Sequence, residues 1–337
     1  MTSQVGIHHR PVLAAIPSSR MTLRLSVTSA SWHNRVSGVV DAYGEMIPVV
    51  KGNGYGFGLA ALMPHATVIS PTIAVGSVFE VHAVPTTHTA MVLTPAGAEL
   101  PTSLPPQTVL TVGSLHHVDV LRHAGWRGPV VVKLQSAMRR YGVTIDQLEP
   151  LLDLIEQAGL IQVGWSVHPP LDGTSNELAS DVARWLSQVE TKYPMYLSHL
   201  DPAAVQQLRT TFPRHQIIAR VGTALWLGDK SELQLLTDVL DTHSVIEGMT
   251  AGYRNVAIPG DGSLVLVGAG SAHGVHTIGD QLSPFHFQRT RLNLLEPSHM
   301  HTSMLFVDSN SPCPQVGDMV EVQQPLTRVL VDTIYWT

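Results

Sequence analysis

A single lysine lies where a short apolar run meets a glycine-rich loop. Residues 47–50 (Ile-Pro-Val-Val) predict a buried strand, Lys51 follows it, and glycine then occupies every second position of residues 52–58. This spacing matches neither the P-loop nor the dinucleotide-binding fingerprint. A lysine in a desolvated site can instead bond covalently to carbonyl compounds, including pyridoxal phosphate (PLP). The stretch therefore indicates lysine-based carbonyl chemistry at a strand end.

Short apolar runs recur along the chain, and polar residues follow several of them. Together with the run before Lys51, eight apolar runs precede residue 236, at residues 47–50, 73–75, 89–93, 109–112, 130–132, 161–165, 195–197 and 217–219. Helical patterns alternate with them, most clearly at residues 145–158, 177–189 and 203–211. This alternation predicts an α/β fold, an N-terminal (β/α)8 TIM-type barrel, with a doubly wound sheet as the main competitor. Active groups of barrels collect at the carboxyl ends of strands, where this chain carries Lys51, Lys133, His168, His199 and Arg220.

The chain changes character near residue 236. Short alternating runs at residues 265–267, 304–307, 319–322 and 328–331 predict a C-terminal all-β domain over residues 236–337. We assign residues 20–235 to the barrel and expect its first strand, residues 21–27, to pair with the C-terminal domain. Residues 1–19 are predicted to be a disordered extension before a start at Met21.

The composition limits the partners. The 337 residues carry a net charge of −6, and no run of Lys and Arg resembles a nucleic-acid footprint, so we expect neither nucleic acid nor membrane as a partner. Charged residues make up 14%, which leaves apolar surface that favours a dimer interface. The single cysteine, Cys313, fits a reducing, cytoplasmic setting.

The lysine stretch resembles a motif of the alanine racemases, which are two-domain, PLP-dependent barrel enzymes. Residues 49–58 are similar to the family's V-V-K-A-N-A-Y-G-H-G, and residues 133–143 to K-x-D-T-G-M-x-R-x-G-V. The resemblance implies that Lys51 binds PLP covalently and that Tyr55 contacts its phosphate. It also implies that Arg140 orients the substrate carboxylate and that Lys133, often carbamylated in the family, positions this arginine.

Two later barrel segments are similar to the family as well. The segment ending at His168 resembles the family's T-H, and residues 219–223 resemble R-P-G-I. The resemblance implies that Arg220 faces the pyridine nitrogen. Gly222 and Thr223 would offer backbone N–H groups to the phosphate at a helix start.

The C-terminal region carries three further matches. Tyr253, after Ala-Gly, resembles the family's second catalytic base, Met300 its substrate-contacting methionine, and Tyr335 its last phosphate-binding tyrosine. The resemblance implies a homodimer with shared active sites, in which Tyr253 and Met300 reach the partner's barrel. His299 and His301 could bind a metal together, but the sequence offers no third ligand, and we predict no metal site.

The chemistry of racemisation agrees with these roles. Inversion at Cα needs acid–base groups on opposite sides of the cofactor plane, and Lys51 and Tyr253 are the predicted pair. A chain of Tyr253, His168 and Arg220 would let the phenol act at neutral pH. Arginine at the pyridine nitrogen weakens the electron sink, which favours racemisation over decarboxylation.

Several positions depart from the family pattern. Pro202 and Ala203 replace Asn and Ser, which removes a phosphate-binding hydroxyl, Ser271 replaces a tyrosine, and His273 and His301 replace aspartates. From the matching motifs and the chemistry we predict a racemase for alanine, serving cell-wall synthesis, or for a similar small amino acid. The alternatives are a catalytically altered or inactive PLP-binding homologue, and a PLP-dependent racemase or lyase for a larger amino acid.

Overall fold

The computed structural model describes residues 22–97, 100–228 and 230–337. The extension predicted for residues 1–19 and the start at Met21 lie outside the described residues. Up to residue 226 the chain forms β1 (Leu23–Val27), α1 (Ser29–Tyr43), β2 (Met46–Pro48), α2 (Leu59–Thr67), β3 (Thr72–Val75), β4 (Thr89–Val92), β5 (Leu110–Val112), α3 (Leu115–His123), β6 (Pro129–Lys133), α4 (Ile145–Gln157), β7 (Ile161–Ser166), α5 (Ser175–Leu186), β8 (Met195–Leu197), α6 (Pro202–Thr211), β9 (Ile217–Val221) and α7 (Thr223–Trp226).

Strands β2 to β9 close into a ring of parallel strands. Backbone pairing joins β2 to β9 and continues through β8, β7 and β6 to β5, while β3 pairs with β4. Parallel bridges from Val49 to Ala74 and from Met91 to Val109 join these two parts. The predicted barrel is confirmed, and the doubly wound sheet is wrong, because an open sheet would leave two edges where these bridges close the ring.

Side chains on each barrel strand alternate between two apolar layers. On β6, Val131 packs inside the barrel, whereas Val130 and Val132 pack outward beneath the helices. Period-two alternation thus fills the barrel with one set of residues and seats the helices on the other. Helices α3, α5 and α6 begin at side-chain caps, in which Ser114, Thr174 and Asp201 accept backbone N–H groups.

The remaining residues form a mostly antiparallel β region. Its strands are β10 (Leu233–Val245), β11 (Thr250–Ala251), β12 (Val256–Ala257), β13 (Gly262–Val267), β14 (Phe285–Phe287), β15 (Thr290–Arg291), β16 (Asn293–Leu294), β17 (Ser303–Asp308), β18 (Met319–Val322) and β19 (Thr333–Trp336). The long strand β10 lies between β18 and β13, and β11 and β12 form a separate hairpin. The predicted all-β character of this region is confirmed.

The strand that precedes the barrel belongs to this sheet. β1 pairs antiparallel with β10 and parallel with β19, so the two ends of the described chain lie side by side. One predicted strand is wrong. Residues 328–331 do not form a strand, because Arg328 ends a 3-10 helix (Leu326–Arg328) and the last strand, β19, begins only at Thr333. Of the apolar residues in that run, Val329 packs into the core of the sheet and Val331 packs partly against it, whereas Leu330 is exposed. Among the described residues, no helix has the length and apolar character needed to cross a membrane.

Asn53 links the glycine-rich loop to the C-terminal region. Its side-chain amide donates to the carbonyl oxygens of Leu326, at 2.8 Å, and Val329, at 2.6 Å. We expect Asn53→Ala to lower the free energy of unfolding by about 2 kcal/mol, because two carbonyl groups lose their donor. Urea unfolding measures this change. The exposed Asn176 provides the control, and an equal effect of Asn176→Ala would contradict the prediction.

Candidate active site

The alternation along the barrel strands places several predicted site residues inside the barrel mouth. Val131 and Ile218 belong to the layer inside the barrel. Lys133 and Arg220 follow two positions later on β6 and β9, so they face the same way at the carboxyl ends. Both side chains are buried, with exposed fractions of 6% and 4%.

A cavity of about 700 Å³ opens at this end of the barrel. Its volume lies within the usual range of small-molecule sites. Of the residues singled out from the sequence, seven line it: Lys51, Tyr55, His168, His199, Arg220, Gly222 and Thr223. The structure thus brings residues from β2, β7, β8 and β9, and the loops that follow them, to one cavity.

Tyr55 and Gly222 fit closely against each other. The Tyr55 side chain is buried, and a Cβ added to Gly222 would lie only 2.0 Å from its phenolic oxygen. Any side chain at position 222 would therefore displace this tyrosine. Burial, assisted by the charge of Glu80, raises the pKa of the Tyr55 phenol, so it stays protonated and can donate a hydrogen bond.

Arg220 offers an unused donor. Its Nη2 donates to the carbonyl oxygen of Val167 at 3.0 Å, while its buried Nε finds no hydrogen-bond partner among the described residues. A buried orphan donor is rare and costly unless a ligand satisfies it. Burial lowers the pKa of the guanidinium to about 10, so the group is charged at neutral pH.

His168 is held as a neutral imidazole. Its Nδ1 lies 2.5 Å from the hydroxyl oxygen of Ser198, and its ring centroid lies 4.2 Å from that of His199. Burial, followed by the charge of Arg220, lowers the pKa of His168 to about 2. A neutral imidazole next to a hydroxyl can accept or donate a hydrogen bond but carries no charge itself.

The two site lysines share one electrostatic environment. Burial lowers the pKa of Lys51, and the charges of Arg140 and Arg220 lower it further. Burial and the same arginines hold the pKa of Lys133 well below its usual value. Lower pKa values enlarge the neutral, nucleophilic fraction of both amines. Glu80 opposes the shift at Lys51 and accepts the backbone N–H of Gly52 at 3.1 Å.

Five predicted residues lie outside the lining of this cavity, and one of them is the buried Lys133. Arg140 is exposed, with its guanidinium 5.2 Å from the ring centroid of Tyr141. Tyr253, Met300 and Tyr335 have exposed fractions of 86%, 68% and 55%. Tyr335 lies on β19, where it is in register with Ser26 on β1. The C-terminal segment that lines the cavity is instead residues 324–327.

Asp201 is a cavity residue that the sequence did not reveal. Its Oδ1 accepts the N–H of Ala204 at 2.8 Å, and its Oδ2 accepts the hydroxyl of Ser175. It precedes Ala203, the position at which a phosphate-binding hydroxyl was predicted to be lost. Asp before proline is typical of a helix start, and that pattern gives no sign of a cavity.

The histidines considered for a metal have other partners. His299 bonds to Glu296, and the ring centroid of His301 lies 5.9 Å from that of His273. Within the described ranges no group of three or more His, Cys, Asp or Glu side chains is arranged to hold a metal ion.

Barrel and sheet together place the chain among the two-domain α/β-barrel proteins with a cationic cavity at the barrel mouth. Within that class it belongs to the alanine racemase family, since the family model described as alanine racemase, N-terminal domain, matches residues 32–229. The predicted family is confirmed. None of the curated proteins searched matches the chain.

Solved alanine racemases share the fold at low sequence identity. The enzyme from Bartonella henselae, with covalently bound pyridoxal phosphate, has a TM-score of 0.72 and 17% identity, covering 94% of this chain and 99% of that chain. The biosynthetic enzyme from Pseudomonas aeruginosa gives 0.69 and 16%, over 94% and 99%. The enzyme from Bacillus anthracis, with bound L-Ala-P, gives 0.69 and 17%, over 91% and 86%.

The depressed pKa of His168 predicts a pH dependence of stability. Below pH 6.5 an unfolded chain protonates this histidine, whereas the folded chain does not until about pH 2. The unfolded state then binds more protons, so stability falls as the pH falls below 6.5, by at most about 1.4 kcal/mol per pH unit for this group. Urea unfolding between pH 7 and pH 5 should show a smaller slope for His168→Gln, and equal slopes would contradict this.

Proposed function

We propose that this chain is a PLP-dependent amino-acid racemase that interconverts the enantiomers of alanine or a similar small amino acid. The single observation that carries the proposal is the cavity into which Lys51, with its lowered pKa, projects beside the unused Nε donor of Arg220. Membership of the alanine racemase family and the bound pyridoxal phosphate in the Bartonella henselae enzyme support it.

The residues present fit pyridoxal phosphate. Lys51 would hold its carbonyl carbon, and the orphan Nε of Arg220 would face its pyridine nitrogen. The protonated phenol of Tyr55 and the backbone at Gly222 and Thr223 would take its phosphate. Glycine at position 222 leaves room for the Tyr55 phenol, which a Cβ there would displace from the phosphate.

Two groups of this chain would move the proton. When bound, pyridoxal phosphate supplies an electron sink that makes the substrate Cα–H acidic. Lys51, with its lowered pKa, can take up or return the proton at Nζ on one face. The Tyr253 phenol would serve the other face. His168, which bonds to the Ser198 hydroxyl and lies within electrostatic reach of Arg220, would orient the phenol.

The exposed position of Tyr253 supports a homodimer. This tyrosine lies outside its own chain's cavity, and the nearby hydrophobic residues Ile246, Met249 and Met300 are 62%, 47% and 68% exposed. Such a surface is typical of a subunit interface rather than of a monomer. A second copy of the chain would bring its Tyr253 and Met300 to the cavity, as the resemblance implies.

The substrate is less constrained than the cofactor. The charge of Arg140 lowers the pKa of both Lys51 and Lys133. Arg140 is therefore near enough to the two lysines that it could orient a substrate carboxylate between them. Carbamylation of Lys133 would turn a buried amine among cations into an anion and so balance their charges. His273 is buried, accepts the Gly270 N–H at 3.1 Å and lies 3.4 Å from Asp332, so its replacement of aspartate serves the fold. Ser271 and His301 are the remaining departures from the family pattern in this region.

Replacement of the lysine tests the cofactor assignment. We expect Lys51→Ala to lose both the visible absorbance of bound pyridoxal phosphate and all racemisation, because no other amine occupies its position. Absorbance spectra and chiral chromatography measure the two losses. The exposed Lys192, which lies over the Tyr193 ring, supplies the control Lys192→Ala. Racemisation at the wild-type rate by Lys51→Ala would refute the proposal.

An amino-acid panel tests the reaction itself. Purified protein is mixed with pyridoxal phosphate and single L-amino acids in D2O, and chirality and Cα deuterium are followed. We expect alanine, or a residue of similar size, to racemise with deuterium at Cα. Cofactor binding without turnover of any amino acid would favour the inactive homologue. Turnover of a large amino acid would favour the alternative of a racemase or lyase for a larger substrate.

Mixed dimers test whether the sites are shared. Lys51→Ala and Tyr253→Phe chains are each expected to be inactive. After unfolding and refolding as an equal mixture, half of the dimers are hybrids, and each hybrid regains one intact site. About a quarter of wild-type activity should return if Tyr253 crosses to the partner. No recovery in a mixture shown to contain hybrid dimers would mean that Tyr253 does not complete the partner's site.

A further inference from the structure

A buried carboxylate holds the turn that carries Tyr253. This turn connects β11 and β12, and the side chain of Glu296 lies beneath it with an exposed residue fraction of 6%. Glu296 accepts the backbone N–H of Tyr253 at 2.9 Å and that of Arg254 at 3.2 Å. Two charge-assisted hydrogen bonds therefore fix the backbone on both sides of the tyrosine Cα.

The turn is shaped to admit this carboxylate. Gly252 has a φ of 79°, in the left-handed region, and a Cβ added there would lie 2.2 Å from the Glu296 Oε1. Glycine at this position removes both obstacles, the steric cost of the backbone conformation and the clash with the carboxylate. The Ala-Gly-Tyr sequence is thus explained by the approach of Glu296 as well as by the turn.

His299 connects the carboxylate to the tyrosine ring. Its Nε2 lies 2.5 Å from Glu296 Oε1, and its ring centroid lies 4.4 Å from that of Tyr253 at an interplanar angle of 50°. Burial would raise the pKa of the Glu296 carboxyl, but the hydrogen bonds from His299, Tyr253 and Arg254 outweigh it and hold the pKa below its usual value. One anionic group thereby restrains both the backbone and the ring of Tyr253.

We propose that Glu296 and His299 are positioning residues, which fix the Tyr253 phenol in the orientation in which it enters the partner's cavity. This inference rests on the proposed function, in which Tyr253 is the second base. A carboxylate is costly to bury, and a surface aromatic residue needs no such restraint to remain folded. The cost is understandable where a phenol that protrudes from one subunit must meet a substrate carbon in another, since small misplacements there slow proton transfer strongly.

Variants at two positions separate the hydrogen bond from the ring contact. Glu296→Gln keeps the shape but offers an amide where Arg254 donates, His299→Phe keeps a ring without the hydrogen bond, and His299→Gln keeps a donor without the ring. The control is His243→Gln. His243 is an exposed histidine on β10, and its Nε2 lies 3.4 Å from a carboxylate oxygen of Asp241, so it is also paired with an acidic residue. The control should behave like the wild type.

The kinetic readout is the ratio of exchange to turnover in D2O, measured with each enantiomer of alanine or of the amino acid that the panel identifies. A slower Tyr253 step lowers kcat/KM equally in both directions, because the equilibrium constant between enantiomers is one. Deuterium exchange into unreacted substrate per turnover should rise for the enantiomer deprotonated by Lys51 and fall for the other. We expect kcat to drop roughly ten- to a hundredfold. A merely structural defect removes active enzyme and leaves both ratios unchanged.

A second readout needs no catalysis. Amide hydrogen exchange at Tyr253 and Arg254 should become at least about tenfold faster in Glu296→Gln, because both donors lose a charged acceptor. Wild-type exchange rates at these amides, or exchange ratios equal to those of His243→Gln in all three variants, would overturn the inference. If the wild-type chain racemises no amino acid, the proposed function falls and the positioning role in catalysis falls with it, whatever the amide exchange reports.

Discussion

The concentration of positive charge at the barrel mouth is the constraint on which the site depends. Lys51, Lys133 and Arg220 converge there within electrostatic reach of Arg140, although the whole chain has a net charge of −6. Taking such groups out of water costs free energy, and their mutual repulsion adds to it. The barrel meets this cost partly by lowering the pKa values of the lysines and partly through Glu80. An anionic ligand with a phosphate or a carboxylate would balance the remaining positive charge, so charges that are costly to bury would also favour its binding.

The sheet that follows the barrel gives this charged mouth a fixed neighbour. β1 starts the described chain inside the C-terminal sheet, and Asn53 ties the lysine loop to residues 326 and 329. The lysine loop therefore cannot move independently of the C-terminal region. In the proposed homodimer, a protruding group such as Tyr253 would keep a constant position relative to the partner's barrel.

Periodicity explains why much of the fold could be predicted. The helices predicted over residues 145–158 and 203–211 correspond to α4 and α6, and every apolar run before residue 236 contributes to a barrel strand. Lys133 and Arg220 could be found because they end such runs, and a strand end in a barrel is a site position. The segment at residues 328–331 was mistaken for a strand, because burial of Val329 in an irregular segment gives the same apolar signal as strand alternation.

Contacts between distant segments explain what the sequence did not reveal. Asp201 was not singled out from the sequence, because its place in the cavity depends on how α6 follows β8. Glu296 and His299 lie in a loop without regular pattern, more than forty positions from the tyrosine that they restrain. Motifs identify groups that perform chemistry, since those side chains are restricted to few types. The residues that position those side chains can come from any segment that the fold brings near. Glu296 and His299 could therefore be identified only from their contacts with Tyr253 in the structure.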